Sequence, residues 1–137
     1  MNLAGDDVVR VSIDVDADVV TARQRARAMG EELGFGSTDL TLLATAISEV
    51  ARNITTYAER GEILLRVVRN RDREGIEVVA RDEGPGIPDV ELALQDGYTT
   101  GGGLGLGLPG ARRLVDEFDI RTAPQTGTTV TLVKWSR

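Results

Sequence analysis

The chain has 137 residues, of which 41% are apolar, and a formal net charge of −6. This length allows one sizeable core and is too short for two, so we expect a single domain over residues 1–137. Cysteine and histidine are both absent, which excludes disulfides and thiolate or imidazole metal sites. Proton transfer therefore falls to a carboxylate, and any metal site is rich in oxygen, which favours Mg²⁺ over zinc.

The acidic balance argues against nucleic acid as a partner, because contacts to phosphates need clustered Lys and Arg. No apolar run approaches the roughly 18 residues of a membrane span, and the first ten residues lack the pattern of a signal peptide. We therefore expect a cytoplasmic protein without a membrane contact, and the absence of cysteine agrees with that location.

The first half of the chain predicts one strand and two helices. Alternating apolar residues predict a half-buried strand over residues 8–15. An apolar face at helical spacing predicts a helix over residues 18–33, with an acidic cap at Asp16 or Asp18 and a stop at Gly34. A longer helix is predicted from a cap at Ser37, Thr38 or Asp39 to Tyr57.

The second half predicts mostly strands. Strands are expected over residues 62–68 and 75–80, joined by a five-residue charged turn that is longer than the tight hairpin type. A short helix over 89–94 and another over 108–118 follow, and then strands over 119–123 and 128–135. This order predicts an α+β fold with helices on one face of a mixed, mainly antiparallel sheet.

Glycine is concentrated between the two late helices. Seven of the fourteen residues from Gly97 to Gly110 are glycine, against sixteen in the whole chain. Glycine costs conformational entropy on folding and permits close approach of a ligand to the backbone. Because the stretch leads into a helix with Pro109 in its first turn, it is a candidate phosphate-binding loop.

Two nucleotide motifs can be set aside for this loop. Gly105, Gly107 and Gly110 match the dinucleotide-binding fingerprint literally, but that fingerprint directly follows a strand within a β-α-β unit, which is missing here. A Walker-type loop needs Lys followed by Ser or Thr, and no Lys lies near.

Three motifs occur in order along the chain and together carry a resemblance. Glu49 and Asn53 lie four apart on a helix, Asp82-x-Gly84-x-Gly86-Ile87 follows a strand, and Gly103-x-Gly105-x-Gly107 precedes a helix. This set resembles the nucleotide-binding boxes of the superfamily of gyrase, chaperone, histidine kinase and mismatch-repair ATPases. The resemblance implies a Bergerat-type ATP-binding fold, a two-layer α+β sandwich, with ATP and Mg²⁺ as cofactors.

Within that superfamily, residues 32–36, 46–54, 82–89 and 133–137 resemble the RsbT family of anti-sigma-factor switch kinases. The resemblance implies a kinase that phosphorylates Ser or Thr on small STAS-domain proteins of a stress-sensing complex, the stressosome. It also implies that the kinase then leaves to bind and activate a regulatory phosphatase that controls an alternative sigma factor. Direct binding of a sigma factor and a partner-switching module with weak ATPase activity are the alternatives, and oligomeric state is left open.

The resemblance also implies roles for individual residues. Asn53 would ligate Mg²⁺, Glu49 would act as the general base, and Asp82 would accept a hydrogen bond from the adenine amino group, with Thr128 supporting it. The remaining nucleotide contacts would come from Gly84, Gly86, Ile87, Gly101, Gly102, Gly103, Leu104, Gly105, Leu106 and Gly107. The alternatives are a polar residue at the edge of a buried face for Asn53, a solvated glutamate for Glu49, a plain turn for Asp82 and an ordinary strand threonine for Thr128.

The charge around this predicted site is unusual. No Lys or Arg occurs from Asp82 to Ala111, so Mg²⁺ and backbone N–H groups would supply nearly all the positive charge that a triphosphate needs. The resemblance makes this a departure, because histidine kinases usually carry basic residues there. Arg10, Arg23, Arg25 and Arg27 could contact an acidic partner surface, but a solvated helix face is at least as good an interpretation.

Overall fold

The structure is a computed structural model that describes residues 8–58, 60–83, 107–123 and 127–136. Its centre is a five-stranded sheet in the order β1-β2-β3-β5-β4, and each pairing between these strands is antiparallel. The strands are β1 (Val9–Ile13), β2 (Gly61–Asn70), β3 (Arg73–Asp82), β4 (Glu117–Ala123) and β5 (Gly127–Trp135).

Three helices among the described residues cover one face of this sheet: α1 (Asp16–Glu32), α2 (Ser37–Tyr57) and α3 (Gly107–Leu114). α2 is the central helix, because it packs against α1, against α3 and against the sheet. Its buried stripe includes Leu43, Ile47, Val50 and Ile54, all 1% exposed or less. The predicted α+β class, with helices on one face of the sheet, is confirmed. None of the helices within the described ranges has the length and apolarity needed to cross a bilayer.

The N-cap of α1 is Val15 rather than the predicted Asp16 or Asp18, which both lie in the first turn. Asp18 nevertheless binds backbone N–H groups at this end of the helix. The Asp18 carboxylate accepts hydrogen bonds from the backbone N–H groups of Asp14, at 2.8 Å, and Val15, at 3.1 Å. Asp18 therefore caps the helix from its third position. Gly34 has a φ of +81° just beyond the helix, the left-handed conformation typical of a helix C-terminus.

The cap predicted for α2 is wrong. Its N-cap is Gly36, which has extended backbone and no side-chain bond, so Ser37, Thr38 and Asp39 all lie inside the first turn. Asp39 has a long-range partner instead, since its Oδ1 lies 3.6 Å from Nζ of Lys134 on β5.

The β2–β3 hairpin is tighter than predicted. Asn70 pairs with Arg73, so the turn consists of Arg71 and Asp72 alone. Arg71 has a φ of 57°, the positive value that primed two-residue turns require. Of the five residues expected to form the turn, Asn70, Arg73 and Glu74 are thus strand residues.

The boundary between α3 and β4 also differs from the prediction. α3 ends at Leu114, and Phe118 belongs to β4, where it pairs with Leu132. A partly buried Phe fits the apolar face of a helix or of a strand equally well. The predicted helix over residues 89–94 lies outside the described residues.

Side chains on the helix-covered face of the sheet form rows across the strands. One row is apolar and consists of Ile63, Ala80, Val130 and Ile120. The next row toward the end of β3 consists of Gly61, Asp82, Thr128 and Thr122, and we call it the polar row. Gly61 pairs with Asp82, Thr128 with Thr122, and the pair Arg81–Thr129 places Asp82 opposite Thr128.

At the opposite end of the sheet, neighbouring side chains pack around Trp135, which is 7% exposed. Its Nε1 donates to Oε2 of Glu117 at 2.8 Å, and the guanidinium of Arg73 lies 4.6 Å from the ring centroid. The ring also lies against Gly75, where an added Cβ would come within 2.7 Å of Trp135 Cε3.

Candidate functional site

The first part of the candidate site is the face of α2 that carries Glu49 and Asn53. The two residues lie one helical turn apart and therefore on the same side of the helix. Glu49 is 8% exposed, which contradicts the alternative of a solvated helix glutamate, and Asn53 is half-buried. The neighbouring Ile54 lies against Gly61, where an added Cβ would be 2.9 Å from Ile54 Cγ2. This contact places the end of α2 over the polar row.

The Glu49 carboxylate has a basic partner on its own helix. Nη1 of Arg52 donates to Oε1 of Glu49 at 2.8 Å. The Arg52 side chain is 50% exposed, whereas that of Glu49 is 9% exposed. A half-exposed guanidinium therefore holds one oxygen of a buried carboxylate.

Ser48 connects α1 to the same region of α2. Its hydroxyl donates to the carbonyl of Ala44 at 2.9 Å and accepts from Nη1 of Arg23 at 3.3 Å. Because Ser48 is 3% exposed, Arg23 reaches inward from α1 to a residue adjacent to Glu49.

The predicted basic partner surface is not a single surface. Arg10 alternates with the inward-facing Val9 and Val11 on β1, so its side chain lies on the face of the sheet away from the helices. There it pairs with Glu62 at 2.6 Å. Arg23 on α1 lies on the opposite side of the sheet.

The second part of the site is the end of β3. Oδ1 of Asp82 accepts a hydrogen bond from the backbone N–H of Thr128 at 3.2 Å. The predicted pairing of Thr128 with Asp82 is therefore made by the main chain. The Thr128 side chain is available for a different contact.

That contact is with Thr122 of β4. The two hydroxyl oxygens lie 3.1 Å apart, and the Thr122 hydroxyl also donates to the carbonyl of Gly127 at 3.2 Å. Gly127 has a φ of +104°, and a Cβ there would lie 2.0 Å from the Asp82 carbonyl oxygen. Only glycine therefore lets the start of β5 come this close to the end of β3.

Other predicted site residues fall partly outside the described ranges. Gly107 is the first residue of α3. Arg112 and Arg113 are exposed on that helix. The predicted residues Gly84, Gly86, Ile87, Gly101, Gly102, Gly103, Leu104, Gly105 and Leu106 lie outside the described residues.

Asn53 could hold a magnesium ion, because its amide oxygen is a ligand that hard cations prefer. Glu49, one turn away on the same face of α2, is the predicted general base rather than a metal ligand. No group of three or more acidic residues in the described ranges could hold a metal alone. Mg²⁺ commonly binds through one or two protein ligands with substrate phosphates supplying the others.

Three of these contacts are not predicted by the sequence analysis: Glu49 with Arg52, Arg23 with Ser48, and Thr122 with Thr128. The spacing of Glu49 and Arg52, three residues apart on a helix, is a signal for an ion pair that could have been used. The Thr122–Thr128 contact has a weaker signal, since it depends on the register between two strands.

Comparison with known proteins identifies the family to which this chain belongs. Residues 12–134 match the family of histidine kinase-like ATPase domains. The serine/threonine-protein kinase RsbT of Bacillus subtilis is 46% identical over 127 residues, covering 93% of this chain and 96% of the relative. The anti-sigma F factor of Bacillus licheniformis is 31% identical over 118 residues, covering 82% and 81%.

Solved structures show the same fold. The RsbU and RsbW domains of a Mycobacterium tuberculosis protein align with a TM-score of 0.63 and 22% identity, covering 95% of this chain and 33% of that one. The mycobacterial sensor histidine kinase MprB aligns with a TM-score of 0.57 and 22% identity, covering 94% and 97%.

The match over nearly the whole chain and the identity to RsbT agree with the motif order along α2, β3 and α3. This chain belongs to the family of histidine kinase-like ATPase domains and, within it, to the RsbT-like serine/threonine-protein kinases.

Proposed function

We propose that this chain uses Mg·ATP to phosphorylate a serine or threonine hydroxyl on a STAS-domain partner protein of a bacterial stress-response complex. After phosphorylation it leaves that complex and binds and activates a regulatory phosphatase that controls an alternative sigma factor. One observation carries the catalytic part of the proposal: buried Glu49 lies one turn from Asn53 on the helix that covers Asp82.

The chemistry needs little covalent participation by the protein. The partner's hydroxyl oxygen forms a bond to the γ-phosphorus while the bond from that phosphorus to the bridging oxygen of ADP breaks. Glu49 accepts the hydroxyl proton, and Asn53 would hold a magnesium ion, which would offset phosphate charge. Asp82, fixed by the Thr128 N–H at 3.2 Å, accepts a hydrogen bond from the adenine amino group.

The remaining nucleotide contacts in this proposal come from the glycine-rich segments. Backbone N–H groups close to the phosphates would replace the side-chain cations that residues 82–111 lack. Gly107, at the start of α3, belongs to that set together with the glycines that precede it in the chain.

A second candidate function is direct binding of a sigma factor. The 31% identity to an anti-sigma F factor supports it, and it is compatible with kinase activity. A plain ATPase of the gyrase type is the third reading, and it predicts phosphate release without any partner.

Incubation with γ-labelled ATP and a purified STAS-domain protein separates these functions. The kinase proposal expects label on the partner, loss of that label in Asn53→Ala, and retention in Asn70→Ala. Asn70 is a matched control because it is an exposed asparagine at the far hairpin.

Two other outcomes would contradict the proposal. Free phosphate that forms equally well without a partner indicates an ATPase. A stable complex with the partner or with a sigma factor, without label on any protein, indicates a binding module.

A further inference from the structure

The polar row contains a hydrogen-bond relay that extends two strands beyond Asp82, through β5 to β4. The backbone N–H of Thr128 donates to Asp82 Oδ1 at 3.2 Å, and the Thr128 hydroxyl lies 3.1 Å from that of Thr122. The Thr122 hydroxyl donates to the Gly127 carbonyl at 3.2 Å. Thr128 is 4% exposed, so its hydroxyl has few alternative orientations.

The direction of this relay follows from counting protons. A threonine hydroxyl has one proton to donate and two lone pairs to accept with. Gly127 offers a carbonyl oxygen, which can only accept, so the Thr122 proton is used there. Thr122 must then accept at the contact with Thr128, and the Thr128 proton points to Thr122. Toward any other group, the Thr128 hydroxyl can therefore act only as a hydrogen-bond acceptor.

This direction has a consequence for the base that binds beside Asp82. An ionised carboxylate and a hydroxyl whose proton is already donated are both acceptors. An exocyclic amino group carries two N–H donors and can therefore bind both acceptors. A carbonyl oxygen at the same position is itself an acceptor, so it could form a hydrogen bond with neither of them. An unmatched buried polar group costs binding free energy.

We propose that Thr122 is a specificity-determining residue of the nucleotide site, although it acts only through Thr128. By accepting the Thr128 proton, it keeps that hydroxyl an acceptor and so favours a purine with an amino group at C6 over one with a carbonyl. This inference rests on the proposed function, because it requires a nucleotide at Asp82. Thr122 is a positioning residue and needs no contact with the nucleotide.

The test compares Mg·ATP with Mg·ITP, whose base carries a carbonyl at C6, by titration calorimetry on the full chain. The wild-type protein should prefer ATP by roughly ten- to a hundredfold. Thr122→Val keeps the shape of the side chain but frees the Thr128 proton, which can then be donated to a carbonyl. The preference should fall by about fivefold or more. Thr122→Ser retains the hydroxyl and should keep the wild-type preference.

The ratio of the two affinities is the decisive readout, because a merely structural defect weakens both nucleotides equally. An unchanged ratio in Thr122→Val, with ATP still bound, would overturn the inference and leave the proposed function intact. Equal affinity of the wild-type protein for ATP and ITP would also overturn it, without any variant. Failure of the wild-type protein to bind either nucleotide would refute both. Thr122→Ala replaces Thr122→Val if thermal unfolding shows the latter to be misfolded.

Discussion

Arg52 and Glu49 form a hydrogen-bonded ion pair of unequal burial. Nη1 lies 2.8 Å from Oε1, and the two side chains are 50% and 9% exposed. A half-exposed pair of this kind contributes about 0–1 kcal/mol to stability, so its main effect is on the position of the carboxylate. A fixed carboxylate is better placed to receive a proton.

Replacement of Arg52 by Ala should therefore reduce kcat for phosphate transfer by about tenfold. The KM for ATP and the melting temperature should change little. Arg52→Lys should lie between the two, because an ammonium keeps the charge but lacks the planar donors of the guanidinium. Glu49→Gln, which removes the base itself, should reduce kcat by roughly 10²- to 10⁴-fold and serves as the reference. Initial rates with the labelled partner protein measure all three, and wild-type kcat in Arg52→Ala would refute the positioning role.

Gly127 provides a test of the junction between β3 and β5. Gly127→Ala should destabilise the fold by more than about 2 kcal/mol, because it adds left-handed strain and places a Cβ 2.0 Å from the Asp82 carbonyl oxygen. Gly34→Ala is the matched control, since Gly34 has a φ of +81° with nothing within 4 Å of the added Cβ. Its cost should be about 1–2 kcal/mol, from strain alone.

Urea unfolding gives both costs, and nucleotide titration adds a second readout. Gly127→Ala should also weaken ATP binding through the displaced Thr128 N–H, while Gly34→Ala should not. Equal effects of the two substitutions on stability and on binding would show that the close approach at Gly127 has no special role.

Nucleotide binding should depend strictly on a divalent cation. No Lys or Arg occurs from Asp82 to Ala111, so without Mg²⁺ this segment would offset the phosphate charge with backbone dipoles alone. ATP affinity should fall by at least about tenfold in excess EDTA and recover when Mg²⁺ is added back. Equal affinity in the presence and absence of EDTA would contradict this account.

The Lys134–Asp39 pair predicts an asymmetry between two substitutions. Lys134 is 4% exposed, and its Nζ lies 3.6 Å from Asp39 Oδ1. Asp39→Asn leaves a buried ammonium without its countercharge and should destabilise by about 3 kcal/mol. Lys134→Met should cost less, because the Asp39 carboxylate that it leaves is more exposed, at 14% against 4% for Lys134. The double variant should recover most of the loss caused by Asp39→Asn. Denaturant unfolding of the three variants checks this, and a larger loss in Lys134→Met would reverse the conclusion.

Asp18 gives a pH-dependent contribution to stability. Hydrogen bonds from the N–H groups of Asp14 and Val15 lower the pKa of the Asp18 carboxyl below its usual value of 3.8. Because the folded-state pKa is lower than the unfolded one, the stabilisation is complete above the unfolded value and is lost as the pH falls through the folded one. Asp18→Ala should therefore melt below the wild-type temperature at pH 7, and the difference should shrink as the pH falls below 3.8.

Asp16→Ala is the control for this effect, because Asp16 lies in the same first turn without either hydrogen bond. Its melting temperature should follow that of the wild-type protein closely across the same pH range. A difference for Asp18→Ala that persists unchanged into strong acid would contradict the cap.

Much of this fold could be predicted from local patterns. Alternation along β1 and β5, and the apolar stripe of α2, predicted those elements because burial on one face imposes a period on the sequence. The tight turn at Arg71 and Asp72 was missed because charged residues on an outer sheet face resemble a loop. Phe118 lies in β4 rather than in the predicted helix, because a single apolar residue fits the period of a helix or of a strand.

The candidate site also contains residues that the sequence predicts and contacts that it does not predict. Glu49, Asn53 and Asp82 were predicted because they belong to motifs with fixed spacing. The burial of Lys134 beside Asp39, the bond from Arg23 to Ser48 and the Thr122–Thr128 relay each join residues far apart in sequence or depend on strand register. Such contacts follow from how the elements pack, which no local period specifies.

Tryptophan fluorescence reports on only one end of the sheet, the end that is remote from the polar row. Trp135 is the chain's one tryptophan, and it is enclosed by Gly75, Arg73 and Glu117. It lies seven residues along β5 from Thr128, a distance of about 23 Å at the usual rise of a strand. Its fluorescence should therefore respond when the sheet unfolds and stay constant when a nucleotide occupies the polar row.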